Sequence, residues 1–360
     1  MTFLNKVIFA WRQILPSLYR RMILEKIKLL LGAYIDSVNA QDINCYNIAK
    51  YIDKDKFEVH ALTHRADVNI PGVVCHPISK GRVLKNIEKY LIMKKIKADV
   101  YYLPRVEKVD IEFAKRSKKC ITSSVEIQTV YENKTYKKFF NKYISGYFCI
   151  SEFLNTLNMK YWGKKVLVLY LGVSADLEDI CRKSLKNIIW IGSVVPRKRP
   201  EYLIELAEYF HNLNFIMVGD GKLLENIKYK TKEISNITFV GKTDNANVLE
   251  WLKRSDLLVI TSEREGLPKV VLEAASKGVP SVYINEYYKI DYIENGINGY
   301  EVPDINSMIA VIELLASNDK KYISCSEHAS KLARKYHWSI LIKQYEDFFI
   351  NTYKSREKKE

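Results

Sequence analysis

A chain of 360 residues exceeds what one hydrophobic core ordinarily supports, so two domains are the default. Hydrophobic residues make up 48% of it and no low-complexity tract interrupts them, which excludes a disordered chain; no uninterrupted apolar run of about 18 residues exists, so no transmembrane helix is expected. Lys and Arg number 57 against 42 Asp and Glu, a formal +15, and that balance suits anionic partners: phosphorylated ligands, an anionic membrane surface or nucleic acid.

The six cysteines (Cys45, Cys75, Cys120, Cys149, Cys181 and Cys325) form no CxxC pair. They read as reduced core thiols of a cytosolic protein rather than as a disulfide or zinc framework. At the N-terminus, Met1–Lys26 sets Phe3, Leu4, Val7, Ile8, Trp11, Ile14 and Leu15 at roughly helical spacing among Lys6, Arg12, Arg20 and Arg21. Trp11, Arg12 and Gln13 break the apolar stretch and no small-residue cleavage site follows, so a signal peptide fits poorly. A basic amphipathic segment of this kind can lie on an anionic membrane, each nearby cation contributing about 1 kcal/mol, or pack on the protein body. Peripheral attachment to the cytosolic face is the expectation taken forward.

From Ile27 the chain alternates strand and helix. Strand Ile27–Leu31, helix Asp42–Ile52, strands Phe57–Leu62 and Val73–His76, helix Val83–Ile96 and strands Asp99–Leu103 and Cys120–Thr122 come first. A basic aromatic helix over Thr135–Ile144, strand Tyr147–Ile150, a helix opening near Ser151 and strand Val166–Leu171 complete a first domain over residues 27–172. Gly172–Lys186 lacks periodicity and reads as a linker. The rhythm restarts at strand Ile188–Ile191. Helix Pro200–Asn212, strand Phe215–Val218, helix Lys222–Lys232, strand Ile237–Val240 and helix Asn245–Arg254 follow. Strand Leu257–Ile260, helix Pro268–Lys277 and strand Ser281–Tyr283 continue a second domain over residues 187–335. Helices run from Ile305 to the end, and the last, Trp338–Tyr353, is long enough to cross back onto the first domain. Short apolar runs separated by helical periods predict an α/β protein: two doubly wound, Rossmann-like parallel sheets facing a cleft, with ligand at the carboxyl ends of the strands.

Three loops of the second domain follow strands and therefore meet at one sheet edge. The first is Gly192-Ser193-Val194-Val195-Pro196-Arg197-Lys198-Arg199, a glycine turn followed by three cations. The second is Gly219-Asp220-Gly221; a dinucleotide fingerprint needs a further glycine where Leu224 stands, which disfavours NAD. The third runs from Thr261 to Leu267 and leads into the helix opened by Pro268, with Gly278 just past its end. Glu265 and the amides of Gly266 and Leu267 then stand at a positive helix start, and Glu273 projects from the second turn. Helix N–H groups favour a diphosphate and a carboxylate can accept both hydrogen bonds of a diol. Together they describe a sugar-nucleotide site, although two glutamates at such a spacing also occur as ordinary helix residues.

The second half resembles the nucleotide-sugar domain of retaining GT-B glycosyltransferases of family four, which includes bacterial polysaccharide and lipopolysaccharide enzymes. The resemblance runs from about Asn187 to Pro303. It rests on the Gly192–Lys198 loop, Val218-Gly219-Asp220-Gly221, Val240-Gly241, Glu265-Gly266-Leu267-Pro268 with Glu273-Ala274, Gly278-Val279-Pro280, and Ile293–Gly299. It implies that Glu265 contacts the donor sugar, Glu273 holds the ribose hydroxyls, the Gly266 and Leu267 amides meet sugar and diphosphate, and Lys198 meets the diphosphate. Gly192, Ser193, Arg197, Gly219 and Gly241 would complete the donor site. Ser193 stands where the family usually has arginine, a charge that Arg197 or Arg199 would have to supply. The family's acceptor-side histidine has no counterpart in Ile121–Glu126; Glu126 reads either as its substitute or as a surface glutamate.

The resemblance therefore implies a hexosyltransferase of GT-B architecture using a UDP- or GDP-sugar, a glycan or lipid-linked acceptor, and retention of configuration. No Asp-x-Asp pair is placed to bridge a metal to the diphosphate, so Lys198 and its neighbours are expected to replace the metal, and no cofactor is expected. Two rivals remain: a non-catalytic sugar-nucleotide-binding subunit, favoured by Ser193, and an epimerase or hydrolase on the same fold. Nucleic acid is disfavoured, because neither zinc spacing nor an RNP-like motif accompanies the positive charge.

Overall fold

The computed structural model describes residues 26–358 except Val38, Asp179, Arg264, Gly266, Tyr287 and Tyr288. The amphipathic segment Met1–Lys26 lies, but for Lys26, outside the described residues. The chain divides into two compact units. One holds the described residues of Met1–Ser123, Phe139–Tyr147 and Ile342–Glu360, and the other those of Ser124–Lys138 and Phe148–Leu341.

In chain order the first strands and helices are β1 (Ile27–Tyr34), α1 (Ala40–Tyr51), β2 (Phe57–Thr63), β3 (Val73–Pro77), α2 (Arg82–Ile96), β4 (Val100–Tyr102), α3 (Lys108–Arg116) and β5 (Cys120–Val125). Then come α4 (Lys134–Tyr143), β6 (Gly146–Cys149), α5 (Glu152–Trp162) and β7 (Leu167–Val168). Their sheet has the order β3-β2-β1-β4-β5-β6-β7, with parallel pairings. Leu29, Leu30 and Leu31 in β1 are fully buried, as expected of a central parallel strand covered on both faces. The strand expected over Val166–Leu171 forms only at Leu167–Val168, where β7 ends the sheet and pairs with β6 alone. The helix α3 was not among the expected elements. Its charged sequence hides a three-residue apolar face, Val109, Phe113 and Ala114, beside buried Asp110, and its start is fixed by a capping box between Glu107 and Asp110.

The second set is β8 (Asn187–Ile191), α6 (Glu201–Tyr209), β9 (Asn214–Val218), α7 (Leu224–Lys230), β10 (Ile237–Gly241), α8 (Asn245–Lys253), β11 (Leu257–Ile260) and α9 (Lys269–Ala275). β12 (Ser281–Ile284), β13 (Gly299–Val302), α10 (Ile305–Ser317), α11 (Asp319–Lys335) and α12 (Trp338–Glu357) follow. The sheet order is β10-β9-β8-β11-β12-β13, again parallel. Trp190, Leu203, Phe215, Met217, Val259 and Met308 centre its core. Strand β13 was not expected, because its four residues follow directly on a glycine-rich turn. The helix expected from Pro268 begins at Lys269 instead. Pro268 has an extended ψ of 106° and serves as the flanking residue.

Gly172–Lys186 has no regular structure over most of its length, yet it is fastened to the second unit. Arg182 donates to the carbonyls of Lys253 (2.7 Å) and Lys277 (3.1 Å), so one guanidinium serves the ends of α8 and α9. Lys277 pairs with Glu178 at 2.6 Å. The last helix, α12, passes from one unit to the other at Ile342. Beyond that point its Glu346 carboxylate accepts from the Asp53 amide at 2.9 Å, and Phe349 lies 5.6 Å from the Tyr102 ring.

Candidate functional site

In a doubly wound sheet the loops diverge where the strand order reverses, and a crevice opens beyond the strand ends. In the second sheet that point lies between β8 and β11. Gly192 and the Arg197–Arg199 cations follow β8, and Glu265 follows β11, so the two flank the reversal.

The loops after β8 and β9 touch through their backbones. The Val194 amide donates to the Asp220 carbonyl (2.9 Å), the Gly192 amide to Val218 (3.0 Å), and the Gly219 amide to Gly241 (2.9 Å). Gly219 has φ +142°, and a Cβ there would stand 1.8 Å from the Gly192 oxygen; at Gly221 it would stand 2.5 Å from the Val194 oxygen. Glycine at both places is therefore a condition of this approach. Beside it lies a depression of about 390 Å³ lined by Gly192, Ser193, Gly219, Asp220, Lys242 and Thr243. Gly241 takes a left-handed φ of +77° at the end of β10 and turns the chain toward Lys242.

Lys198 and Glu265 form an ion pair across the reversal, with their side chains only 18% and 14% exposed. The lysine is held by a buried network. Thr261 donates from its hydroxyl to the Lys198 and Arg199 carbonyls, at 2.7 and 2.9 Å, and accepts from the Trp190 indole N–H at 2.9 Å. The short 3₁₀ turn Pro196–Lys198 ends at Arg199, a non-glycine residue at φ 44°. Arg199 is fixed there by its Nε bond to the Thr261 carbonyl (2.8 Å) and its pairing with Glu286. Of the two arginines considered as replacements for the charge absent at Ser193, Arg199 is thus committed inside the loop. Arg197 is exposed, and its carbonyl accepts from the Glu263 amide at 2.9 Å. Ser193 is exposed and Leu267 is buried; Gly266 lies outside the described residues.

Glu273 sits in the second turn of α9, partly buried, and accepts from the Asn245 side chain at 3.1 Å. Desolvation pushes its carboxyl above the usual carboxylate range, and Lys269 pulls the other way. A largely desolvated carboxylate held mainly by an amide costs stability once it ionises.

Glu126 is 6% exposed and accepts from the Ser124 hydroxyl at 2.9 Å, so it is not a surface glutamate. In the other unit, the reversal between β1 and β4 carries a polar network that sequence reading passed over. Lys89, with no exposed surface, bonds to Glu107 (3.0 Å) and Asp110 (2.8 Å). Burial opposes its charge, but the two carboxylates outweigh burial and keep the ammonium protonated. The Glu107 carboxyl is driven down to about 2: burial raises it, and Lys89 and Lys85 more than reverse that. Tyr34 reaches Glu107 with its hydroxyl (3.3 Å), and Arg105 pairs with buried Asp42. A lysine in a helix written RVLKNIEKY gives no sequence sign that it points inward.

The residues around these loops that sequence reading missed are Trp190, Thr261, Asn245 and Lys242. Thr261 was assigned only to a loop, and a hydroxyl at a strand end carries no motif. Thr261→Val keeps the shape but strands the Lys198 carbonyl and the Trp190 indole N–H, at about 1–3 kcal/mol for such a buried group, while the Arg199 carbonyl keeps the Tyr202 amide at 3.3 Å. The expected result is a lower denaturant midpoint together with a raised donor KM, rescued by Thr261→Ser; unchanged KM in a folded variant would separate the network from the loop's position. Among the described residues no group of three or more His, Cys, Asp or Glu side chains is arranged to hold a metal ion.

Residues 181–332 match the family model described as glycosyl transferases group 1. An Escherichia coli protein named UDP-Gal:alpha-D-GlcNAc-diphosphoundecaprenol alpha-1,3-galactosyltransferase is 28% identical over 174 residues, 45% of this chain and 44% of its own. The capsular polysaccharide biosynthesis glycosyltransferase CapH of Staphylococcus aureus is 25% identical over 195 residues, 49% of this chain and 51% of its own. The chain spans about half the length of the curated relatives it matches. In structure it is similar to Anabaena HepE in complex with UDP-glucose, with a TM-score of 0.73, 14% identity, and coverage of 90% of this chain and 99% of that one. Sucrose-phosphate synthase from Thermosynechococcus elongatus superposes with a TM-score of 0.75 at 11% identity, covering 92% of this chain and 99% of that one. At such identities the likeness is one of fold: two Rossmann-like parallel-sheet domains of the GT-B class.

Proposed function

We propose that this chain is a glycosyltransferase of the retaining family-four type that moves a hexose from a nucleoside-diphosphate sugar to a hydroxyl of a glycan or lipid-linked acceptor, without a divalent metal. The observation that carries the reading is the Lys198–Glu265 pair at the strand-order reversal, within the stretch that matches the group 1 family. Of the two bases considered, UDP is favoured: one relative is named for UDP-Gal and a diphosphoundecaprenol-linked sugar, and one fold relative holds UDP-glucose. The same name supports a lipid-linked acceptor.

In this reading the donor enters beside Gly192, Gly219 and Lys242. Lys198, with exposed Arg197 near it, counters the charge that grows on the departing diphosphate. A preorganised cation in a partly dry site contributes several kcal/mol to such a step. Glu265 accepts from the sugar's hydroxyls and balances the positive charge at the anomeric carbon, Glu273 accepts from the ribose diol, and the Gly266 and Leu267 amides meet sugar and diphosphate. Glu126 is assigned the acceptor side. No described helix is long and apolar enough to cross a membrane; attachment to the cytosolic face through Met1–Lys26 belongs to the same proposal.

A thermal-shift panel of sugar nucleotides tests the donor. A ligand at a hundred times its dissociation constant adds about 2.7 kcal/mol, so a UDP-hexose should stand out from GDP-sugars and NAD. Nucleoside diphosphate release with a lipid-linked sugar acceptor should then continue at an unchanged rate in EDTA. A panel without a hit removes the donor assignment, and a strict Mg²⁺ or Mn²⁺ requirement removes the substitution of cations for metal. Ser193 favours a second reading, a binding subunit without transfer. It predicts the thermal shift but neither transfer nor hydrolysis with any acceptor.

A further inference from the structure

Two histidines of the first sheet meet away from the polar network around Lys89. His60 in β2 and His76 in β3 are diagonal neighbours on one face, in the register His60↔Val74 and Leu62↔His76. The His60 Nδ1 lies 2.8 Å from the His76 Nε2, and the rings stack with centroids 5.1 Å apart. On its other side the His60 Nε2 lies 2.9 Å from the Glu58 carboxylate. His60 is 7% exposed and His76 is half-buried, so the contact is largely shielded from water.

Charge decides which protonation states fit this contact. The His60 bond holds the Glu58 carboxyl below the usual carboxylate range, so at neutral pH Glu58 is ionised and the His60 Nε2 carries the hydrogen between them. With both rings neutral, the His76 Nε2–H donates to the His60 Nδ1. One added proton is also accommodated: a His60 imidazolium donates to Glu58 and to the His76 Nε2, and the carboxylate offsets its charge. A second proton sets N–H against N–H and cation against cation at 2.8 Å. The other charged groups acting on the pair are Lys28 of β1, which shares Glu58 at 3.2 Å, and Lys95 of α2; both are cations and oppose that proton. Burial lowers the His76 value, and His60 and Lys95 lower it further.

Strand β3 is the edge of its sheet and among the described residues pairs with β2 alone. Two residues past His76, the Ile78 amide donates to the Thr63 carbonyl (2.7 Å), and the Ile78 carbonyl accepts from the His64 Nδ1–H at 3.2 Å. That bond orients the His64 ring, which stacks on Tyr34 at 4.3 Å, and Tyr34 belongs to the Lys89 network at the strand-order reversal.

We infer that the His60–His76 pair is an acid-operated latch: doubly protonated, it parts β3 from β2 and frees His64 from the Ile78 carbonyl. A strand held along one side opens locally at less cost than the rest of the sheet. The folded chain resists the second proton and the unfolded chain does not. The stability of β3 is therefore full above the ordinary histidine value of about 6.5 and is lost as pH falls below it. All these residues belong to the unit of the first sheet, and the donor residues to the other.

The test is amide hydrogen exchange of the full chain at pH 7.5 and pH 5.5, with rates corrected for the pH dependence of the exchange chemistry. Protection of β3 and of Ile78 should fall by about tenfold or more at the lower pH, while that of β1 and β4 stays constant. His76→Gln reaches His60 with an amide that takes no proton, so its β3 should be equally protected at both. NMR titration of the ring nitrogens in the wild-type chain needs no variant: the pair should titrate in two separated steps, the second below the ordinary value. Three results would each overturn the inference: wild-type β3 that stays closed at pH 5.5, a His76→Gln chain that opens as wild type does, or two rings that titrate together at the ordinary value.

Discussion

Lys198→Ala is expected to lower kcat/KM for sugar transfer by about 10²–10³-fold, the range seen when one preorganised group facing developing charge is removed. The side chain is four-fifths buried, its loop is tied by the Thr261 hydroxyl, and its ammonium is aimed by Glu265. It therefore reaches the transition state already oriented and loses little solvation on the way. Glu265→Gln should produce a loss of similar size by a different route. It removes the carboxylate from the sugar and releases the lysine from its partner. Because the two groups touch, their effects are coupled, and the double variant should be about as impaired as the worse single one rather than the product of both. Denaturant midpoints should fall in both single variants, because each leaves a largely buried group without its partner, so transfer is compared only at temperatures where the variants are folded. Transfer within a few-fold of wild type in folded Lys198→Ala would show that the cation does not act on the leaving diphosphate.

Glu273 should separate binding from stability. Its carboxyl titrates above the usual range because it is desolvated, so the folded chain holds that proton more tightly than the unfolded chain. The unfolded state then binds fewer protons as pH rises through this window, and stability falls from the ordinary carboxylate range upward to the raised value. Glu273→Gln keeps the volume and the contact with Asn245 while removing the buried charge. It should melt higher than wild type at pH 8, by roughly 2–4 °C per kcal/mol gained, and the difference should close near pH 4. Its affinity for the UDP-sugar should fall at least tenfold, because an amide oxygen is a weaker acceptor for a diol than a carboxylate. Calorimetry showing wild-type affinity would end the ribose assignment, and a melting curve that drops at pH 8 would show that the charge is compensated within the fold.

The donor-side reading came from residues whose spacing along the chain carries meaning. Gly219 and Gly221 sit just past a strand where a Cβ would strike a neighbouring backbone, Gly192 opens the first loop, and Glu265 precedes one short helix that carries Glu273. Alternation of apolar runs with helical periods was enough to place two parallel sheets, because strands covered on both faces must be apolar throughout. What the chain alone determined is thus what local chemistry dictates: strand cores, turn glycines and the order of the loops. The tertiary structure decided which side chains meet. Lys198 and Glu265 lie 67 positions apart and Trp190 and Thr261 lie 71 apart, and only the reversal between β8 and β11 brings each pair together. Lys89 was written as one more lysine in a basic helix. It is buried because Glu107 and Asp110, from a helix that sequence reading did not find, arrive on its inner side, and a charge leaves water only where such partners wait for it.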